Sequence, residues 1–207
     1  EAVAAGARLI VLSGSSEAFC AGADLADFPA FAGPGKATAF RLAMRESLDS
    51  VANLSIASIA LVEGPCFGAG VALAMACDLR VAGPGARFAI TPAKFGISYP
   101  QEDVARLVAL VGPGQASRLL LGAVGLDAGE AARIGLVELV ADDTGAAIEA
   151  LAEAICANSA DSVAVLKRAI RLAARGVDRD EGQDRRFDAM FGSDDLRERL
   201  AALRPRR

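Results

Sequence analysis

Gly64-Pro65-Cys66-Phe67-Gly68-Ala69-Gly70 is the stretch on which the fold turns. It closes the apolar run 56–62, which reads as a buried strand, and opens into residues 70–76. Those are all small or apolar and read as a helix buried at the centre of a domain. A strand, a tight glycine-rich turn and a helix leave the first helical N–H groups without intrahelical partners. A second segment of this kind, Phe19-Cys20-Ala21-Gly22-Ala23-Asp24-Leu25, follows the apolar run 8–12 upstream. Two such turns aimed at one point present backbone donors to a developing negative oxygen. The pair points to chemistry on a carbonyl, carried by backbone as much as by side chains.

Outward from these turns, strands and helices alternate. Residues 8–12 read as a buried strand and 28–36 as a Pro/Gly-rich loop. Phe40, Ala43, Met44, Ser47, Leu48 and Val51 recur at helical spacing, with Arg41, Arg45, Glu46 and Asp49 off that face. Short strands are expected at 79–82 and 87–90, separated by Gly83-Pro84-Gly85. Pro92, Gly96 and Pro100 break the next stretch into loop and short helix. A helix over 102–111 opens with two acids, as the helix dipole favours. Helices follow at 115–121, 127–134, 144–157, 162–175 and 181–191, with a short strand at 137–140. The composition shifts near Gly112-Pro113-Gly114, which divides the chain into an α/β core, 1–113, and a helical cap or oligomerisation region, 114–207.

Composition excludes several functions. The 207 residues suffice for one sizeable core, and a net charge of −4 offers no positive field for nucleic acid. Arg204, Arg206 and Arg207 read as a frayed basic tail. Each apolar run is cut by Gly, Pro or charge before it reaches membrane-spanning length. Cys20, Cys66, Cys77 and Cys156 lack C-x-x-C spacing and read as buried free thiols in a reducing, cytoplasmic setting. The chain has no histidine, which removes Ser–His and Cys–His nucleophiles and the common histidine base. The chain starts at Glu1 rather than Met, which suggests that it begins inside a longer protein.

Two nucleotide motifs fail on inspection. Gly68-Ala69-Gly70 lacks the third small residue at Leu73, and Asp78 comes too soon to hold a ribose. Gly33-Pro34-Gly35-Lys36 is followed by Ala37 rather than Ser or Thr, and no strand precedes it.

The whole pattern, FCAGADL, a helix, an apolar strand, then EGPCFGAGVALAMACDLRVA and Ala86-Arg87-Phe88, resembles the crotonase superfamily of enoyl-CoA hydratases and isomerases. The resemblance covers nearly the whole chain. It implies a spiral of ββα units with a helical C-terminal part and an absent N-terminal strand-rich stretch. It also implies assembly as a homotrimer or homohexamer, with no nucleic-acid or membrane partner. The substrate it implies is an acyl-CoA, with CoA arriving on the substrate and no metal or redox cofactor. By resemblance the N–H groups of Ala23 and Ala69 hold the thioester enolate oxygen, and Ala21, Asp24, Leu25, Ala26 and Gly68 line the substrate. Asp24 serves equally as a helix N-cap. Lys167 and Arg168 reach CoA phosphates on one reading and lie on a solvated helix face on the other.

The resemblance also exposes departures. The two glutamates of family hydratases fall here on Ala72 and Pro92, and an isomerase carboxylate falls on Pro100. None of these residues transfers a proton. Glu102 is the nearest replacement, with Asp103 beside it, because a loop-to-helix boundary can aim one of them inward. A solvated first turn accounts for Glu102 equally well. Tyr99, the only tyrosine, lies in the same loop; some decarboxylating relatives work with a tyrosine and no carboxylate. Three functions follow: hydration or isomerisation of an enoyl thioester, other enolate chemistry such as decarboxylation or thioester hydrolysis, and non-catalytic acyl-CoA binding.

Overall fold

The computed structural model describes residues 3–15 and 17–203, so the basic tail lies outside the described residues. The chain runs through β1 (Leu9–Ser13), a 3-10 turn (Leu25–Ala32), α1 (Lys36–Ala52), β2 (Ala57–Val62), β3 (Pro65–Phe67) and α2 (Ala69–Ala76). It continues through β4 (Leu79–Ala82), β5 (Arg87–Ala89), a second 3-10 turn (Pro92–Phe95), α3 (Gln101–Gly122), β6 (Leu126–Asp127), α4 (Ala128–Arg133) and β7 (Leu139–Val140). Four helices close it: α5 (Thr144–Cys156), α6 (Ala160–Ala174), α7 (Glu181–Met190) and α8 (Asp194–Ala202).

Successive strands go to two different sheets. One sheet has the order β1-β2-β4-β7, all parallel; the other has the order β3-β5-β6, with β3 and β5 parallel. Each unit therefore lays one strand in the first sheet, the next in the second, and returns through a helix: β2-β3-α2, then β4-β5-α3. This is the ββα spiral expected from the crotonase resemblance. β2 is apolar along its length and buried nearly throughout, as a parallel strand between two neighbours requires. α2 is apolar on all sides and buries Gly70, Val71, Ala72, Ala74, Met75 and Ala76.

The main hydrophobic cluster includes Phe19, Val62, Cys66, Val71 and Phe88 with Leu107, Leu119, Leu126 and Leu136, so packing crosses residues 113 and 114. The expected helices at 102–111 and 115–121 both form, as the two halves of α3, separated by a break at Gly112, which takes φ 75° and ψ 163°. Three expectations change. The supposed loop 28–36 begins within a 3-10 turn, Leu25–Ala32, because Asp24 caps it by accepting a hydrogen bond from Ala26 N at 2.8 Å. Phe31 then stacks on Phe40 of α1 with ring centroids 4.4 Å apart. β1 is half exposed rather than buried, because it pairs on one side only, with β2. The four cysteines are free, but Cys156 is exposed and Cys20 half-buried; only Cys66 and Cys77 lie in the core.

Candidate active site

The two glycine-rich segments meet as a short parallel ladder. Phe19 and Cys20 both donate their N–H to Pro65 O, at 3.1 and 3.2 Å, and Phe67 N–H donates to Cys20 O at 2.9 Å. Cys20 and Cys66 are bridge partners. Past this ladder the chains stay in contact through glycines. A methyl group at Gly70 would lie 2.2 Å from Cys20 O, so only glycine lets the first segment sit on the start of α2. Gly22 has φ 99°, and a methyl there would lie 3.0 Å from Phe67 O and 3.5 Å from the Ala69 nitrogen. The Gly22–Ala23 peptide thus passes beside the Gly68–Ala69 peptide. Ala69 is the first residue of α2. Among the described residues, neither Ala23 N–H nor Ala69 N–H has a hydrogen-bond partner. Ala23, Gly68 and Ala69 are half-buried, whereas Ala21, Asp24, Leu25 and Ala26 are exposed at the mouth of this junction.

Tyr99 stands over the same turn. Its ring packs on the cluster of Leu48, Ala52, Ala72 and Ala76, between α1 and α2, and its hydroxyl donates to Gly68 O at 3.0 Å. Burial pushes the phenol well above its ordinary pKa, with the nearby Asp103 carboxylate adding to the effect. The phenol is therefore a permanent donor at neutral pH.

At the start of α3 the two acids part. Asp103 is buried and Glu102 exposed. Asp103 lies 3.1 Å from Arg106 Nη1, and the other guanidinium nitrogen of Arg106 lies 2.9 Å from Asp49 of α1. Arg45 Nε pairs with Asp49 at 2.7 Å, and its Nη1 stands 3.5 Å from Glu102. Burial raises the Asp103 pKa from its ordinary value, and the Arg106 and Arg45 guanidiniums oppose that rise. The spacing of Asp103 and Leu107, both buried one helical turn apart, is the pattern that marks Asp103 as the inward acid.

Comparison with known proteins identifies the chain. The enoyl-CoA hydratase/isomerase family model matches residues 4–203. The chain belongs to the enoyl-CoA hydratase/isomerase family. It is 41% identical over 137 residues to a Mycobacterium tuberculosis protein called "Probable enoyl-CoA hydratase", covering 62% of this chain and 53% of that protein. It is also 33% identical over 131 residues to ethylmalonyl-CoA decarboxylase of Rattus norvegicus, covering 63% of this chain and 44% of that one. A solved protein of Hyphomonas neptunium, assigned to the same family, superposes with a TM-score of 0.89 at 38% identity, over 94% of this chain and 76% of that chain. The chain spans about half the length of the curated relatives it first matches.

The three positions at which the sequence resemblance sets family carboxylates carry none in this chain. Ala72 is fully buried in α2, Pro92 opens the second 3-10 turn, and Pro100 caps α3, so no carboxylate stands at any of the three. Both readings of Lys167 from sequence fail. Its ammonium is buried, donates to Ile56 O at 2.8 Å and lies 2.7 Å from Asp78, which also accepts from Ser58. A buried ammonium needs such partners, and the start of β2 and the end of α2 supply them. Arg168 instead pairs with Asp180 and Gln183 of the helical tail. Among the described residues no group of acids and cysteines is arranged to hold a metal, and no helix is long and apolar enough to cross a membrane.

Proposed function

We propose that this chain carries the enolate-stabilising site of an acyl-CoA enzyme of the hydratase/isomerase type. The thioester oxygen sits between the N–H groups of Ala23 and Ala69. Ala21, Asp24, Leu25, Ala26 and Gly68 border the acyl-CoA. The supporting observation is the approach of Gly22 to the Ala69 nitrogen, which sets two Gly–Ala peptides with unpaired N–H groups side by side. Each such donor contributes about 3–4 kcal/mol to stabilising an oxyanion in a preorganised site. The start of α2 adds its dipole to that of Ala69.

Glu102 is the carboxylate assigned to proton transfer in this reading. It stands at the start of α3, three residues after Tyr99, with Arg45 Nη1 3.5 Å away. A second reading is decarboxylation of a malonyl-type thioester, which forms the enolate by loss of carbon dioxide and needs no base. The absence of carboxylates at Ala72, Pro92 and Pro100 favours it, and so does the similarity to the rat decarboxylase.

Assays of 2-enoyl, 3-enoyl and malonyl-type CoA thioesters separate the two. For hydration or isomerisation, Glu102→Gln lowers kcat by at least about a hundredfold. For decarboxylation, only the malonyl-type thioester reacts and Glu102→Gln turns over like the wild type. Saturable binding without product on any of them identifies an acyl-CoA binder, and failure to bind any CoA thioester rejects the acyl-CoA reading. Assembly as a cytoplasmic homotrimer or homohexamer belongs to the same proposal. Exposed Phe187, Phe191 and Leu203 on the helical tail support it, and sedimentation measures it.

A further inference from the structure

We propose that Tyr99 is a positioning residue that holds and polarises the Gly68–Ala69 peptide, so that its hydroxyl acts on the substrate oxygen through the Ala69 N–H. The catalytic part of this inference rests on the oxyanion role proposed for Ala69.

A peptide is one electronic unit. A proton donated to its carbonyl oxygen draws charge through the C–N bond and leaves the N–H at the other end more positive. Gly68 O and Ala69 N are the two ends of one such unit. The oxygen accepts three hydrogen bonds: from Tyr99 Oη at 3.0 Å, Val71 N at 3.0 Å and Ala72 N at 3.3 Å. The last two belong to the opening turn of α2 and come with any helix. The tyrosine is the added element. On the other side, Gly68 N–H donates to Ala89 O of β5 at 2.9 Å. Both flanking peptides of Gly68 are thereby tied down, one to β5 and one to Tyr99. The residue itself has φ 51° and ψ −115° and depends on such ties to keep its orientation.

The hydroxyl is committed to this role. Its ring packs on the α1–α2 cluster of Leu48, Ala52, Ala72 and Ala76, which restricts the swing of its oxygen toward other acceptors. The phenol stays protonated at neutral pH and so keeps the proton that it donates to Gly68 O. The Gly22–Ala23 peptide receives no such bond: among the described residues Gly22 O has no hydrogen-bond partner. The two donors are thus unequal, with Ala69 the stronger.

Two measurements on Tyr99→Phe test this. The first needs no ligand. Labelling glycine carbonyls with carbon-13 and alanine nitrogens with nitrogen-15 selects the six Gly–Ala pairs of the chain, including 22–23 and 68–69. Loss of the Tyr99 bond moves the Ala69 amide nitrogen upfield and leaves Ala23 in place. An unmoved Ala69 resonance overturns the inference. The second measurement binds 2,4-hexadienoyl-CoA, whose conjugated carbonyl absorbs at longer wavelength when donors pull on its oxygen. Tyr99→Phe keeps the wild-type Kd within about threefold, loses much of the red shift, and lowers kcat about tenfold at unchanged KM, less than deletion of a donor would. A full red shift with wild-type kcat in the variant overturns the inference. An absent red shift in the wild type rejects the acyl-CoA reading, and the catalytic half of this inference with it. An equal thermal midpoint for variant and wild type keeps the comparison free of misfolding.

Discussion

Cys20 O and the α-carbon of Gly70 face each other with no room for a side chain between them. Glycine at 70 is therefore a requirement of contact between two segments rather than of helix formation, for which alanine is the better residue. Gly70→Ala should cost about 1–3 kcal/mol through overpacking, read as a lower urea midpoint. It should also lower kcat at least about a hundredfold, because pushing the first segment away moves the Ala23 N–H by more than the reaction tolerates. A variant that keeps full activity would mean that the two peptides need not stay side by side. The glycines are visible in the sequence, and so is the turn chemistry that each one allows. Their partners across space are not, because nothing in the spacing of 20 and 70 says that they touch.

Elements are placed by charge as well as by apolar faces. Glu130 of α4 accepts from Arg133 at 2.7 and 2.8 Å and from Arg118 of α3 at 2.6 Å, which ties the two helices together. Those hydrogen bonds, first from Arg133 and then from Arg118, hold its carboxyl down at about 2. A folded-state pKa below the unfolded one gives stability that is present above the ordinary glutamate range and fades as pH falls through about 2. Glu130→Gln should thus have a lower thermal midpoint than the wild type at neutral pH, by a small amount for so exposed a group, and the difference should shrink steadily on acidification. A difference that stays constant across that range would show that the bonds contribute nothing. Helices α1, α2 and α6 were legible from spacing, whereas the choice between Glu102 and Asp103 was not. Two adjacent acids on a first turn look alike in sequence. Their difference comes from Arg106, which stands beside one of them, and from the surface of α1 that α3 packs against.

At the scale of the molecule, α6 is tied to the first sheet by the buried ammonium of Lys167 and the half-buried carboxylate of Asp78. Lys167 reaches Ile56 O and Asp78, and Asp78 accepts from both the N–H and the hydroxyl of Ser58. Lys167→Met removes the cation and leaves the carboxylate facing an apolar side chain. Loss of one partner of a fully buried pair costs about 3–5 kcal/mol; Asp78 is half-buried and keeps its Ser58 bonds, so a value at or below the bottom of that range is expected in urea unfolding. An unchanged midpoint would show that the tie is not needed. The strands and helices, the buried character of α2 and the two donor-bearing turns follow from the order of residues in the chain. Apolar period and glycine's backbone range are local properties, and the resemblance to a family rests on those same segments. The pairing of Ala69 with Gly22, the phenol over Gly68, the inward turn of Asp103 and the burial of Lys167 arise from packing between distant segments. A polar group becomes buried or exposed, paired or unpaired, according to what the rest of the fold sets against it, and no window of neighbouring residues contains that information.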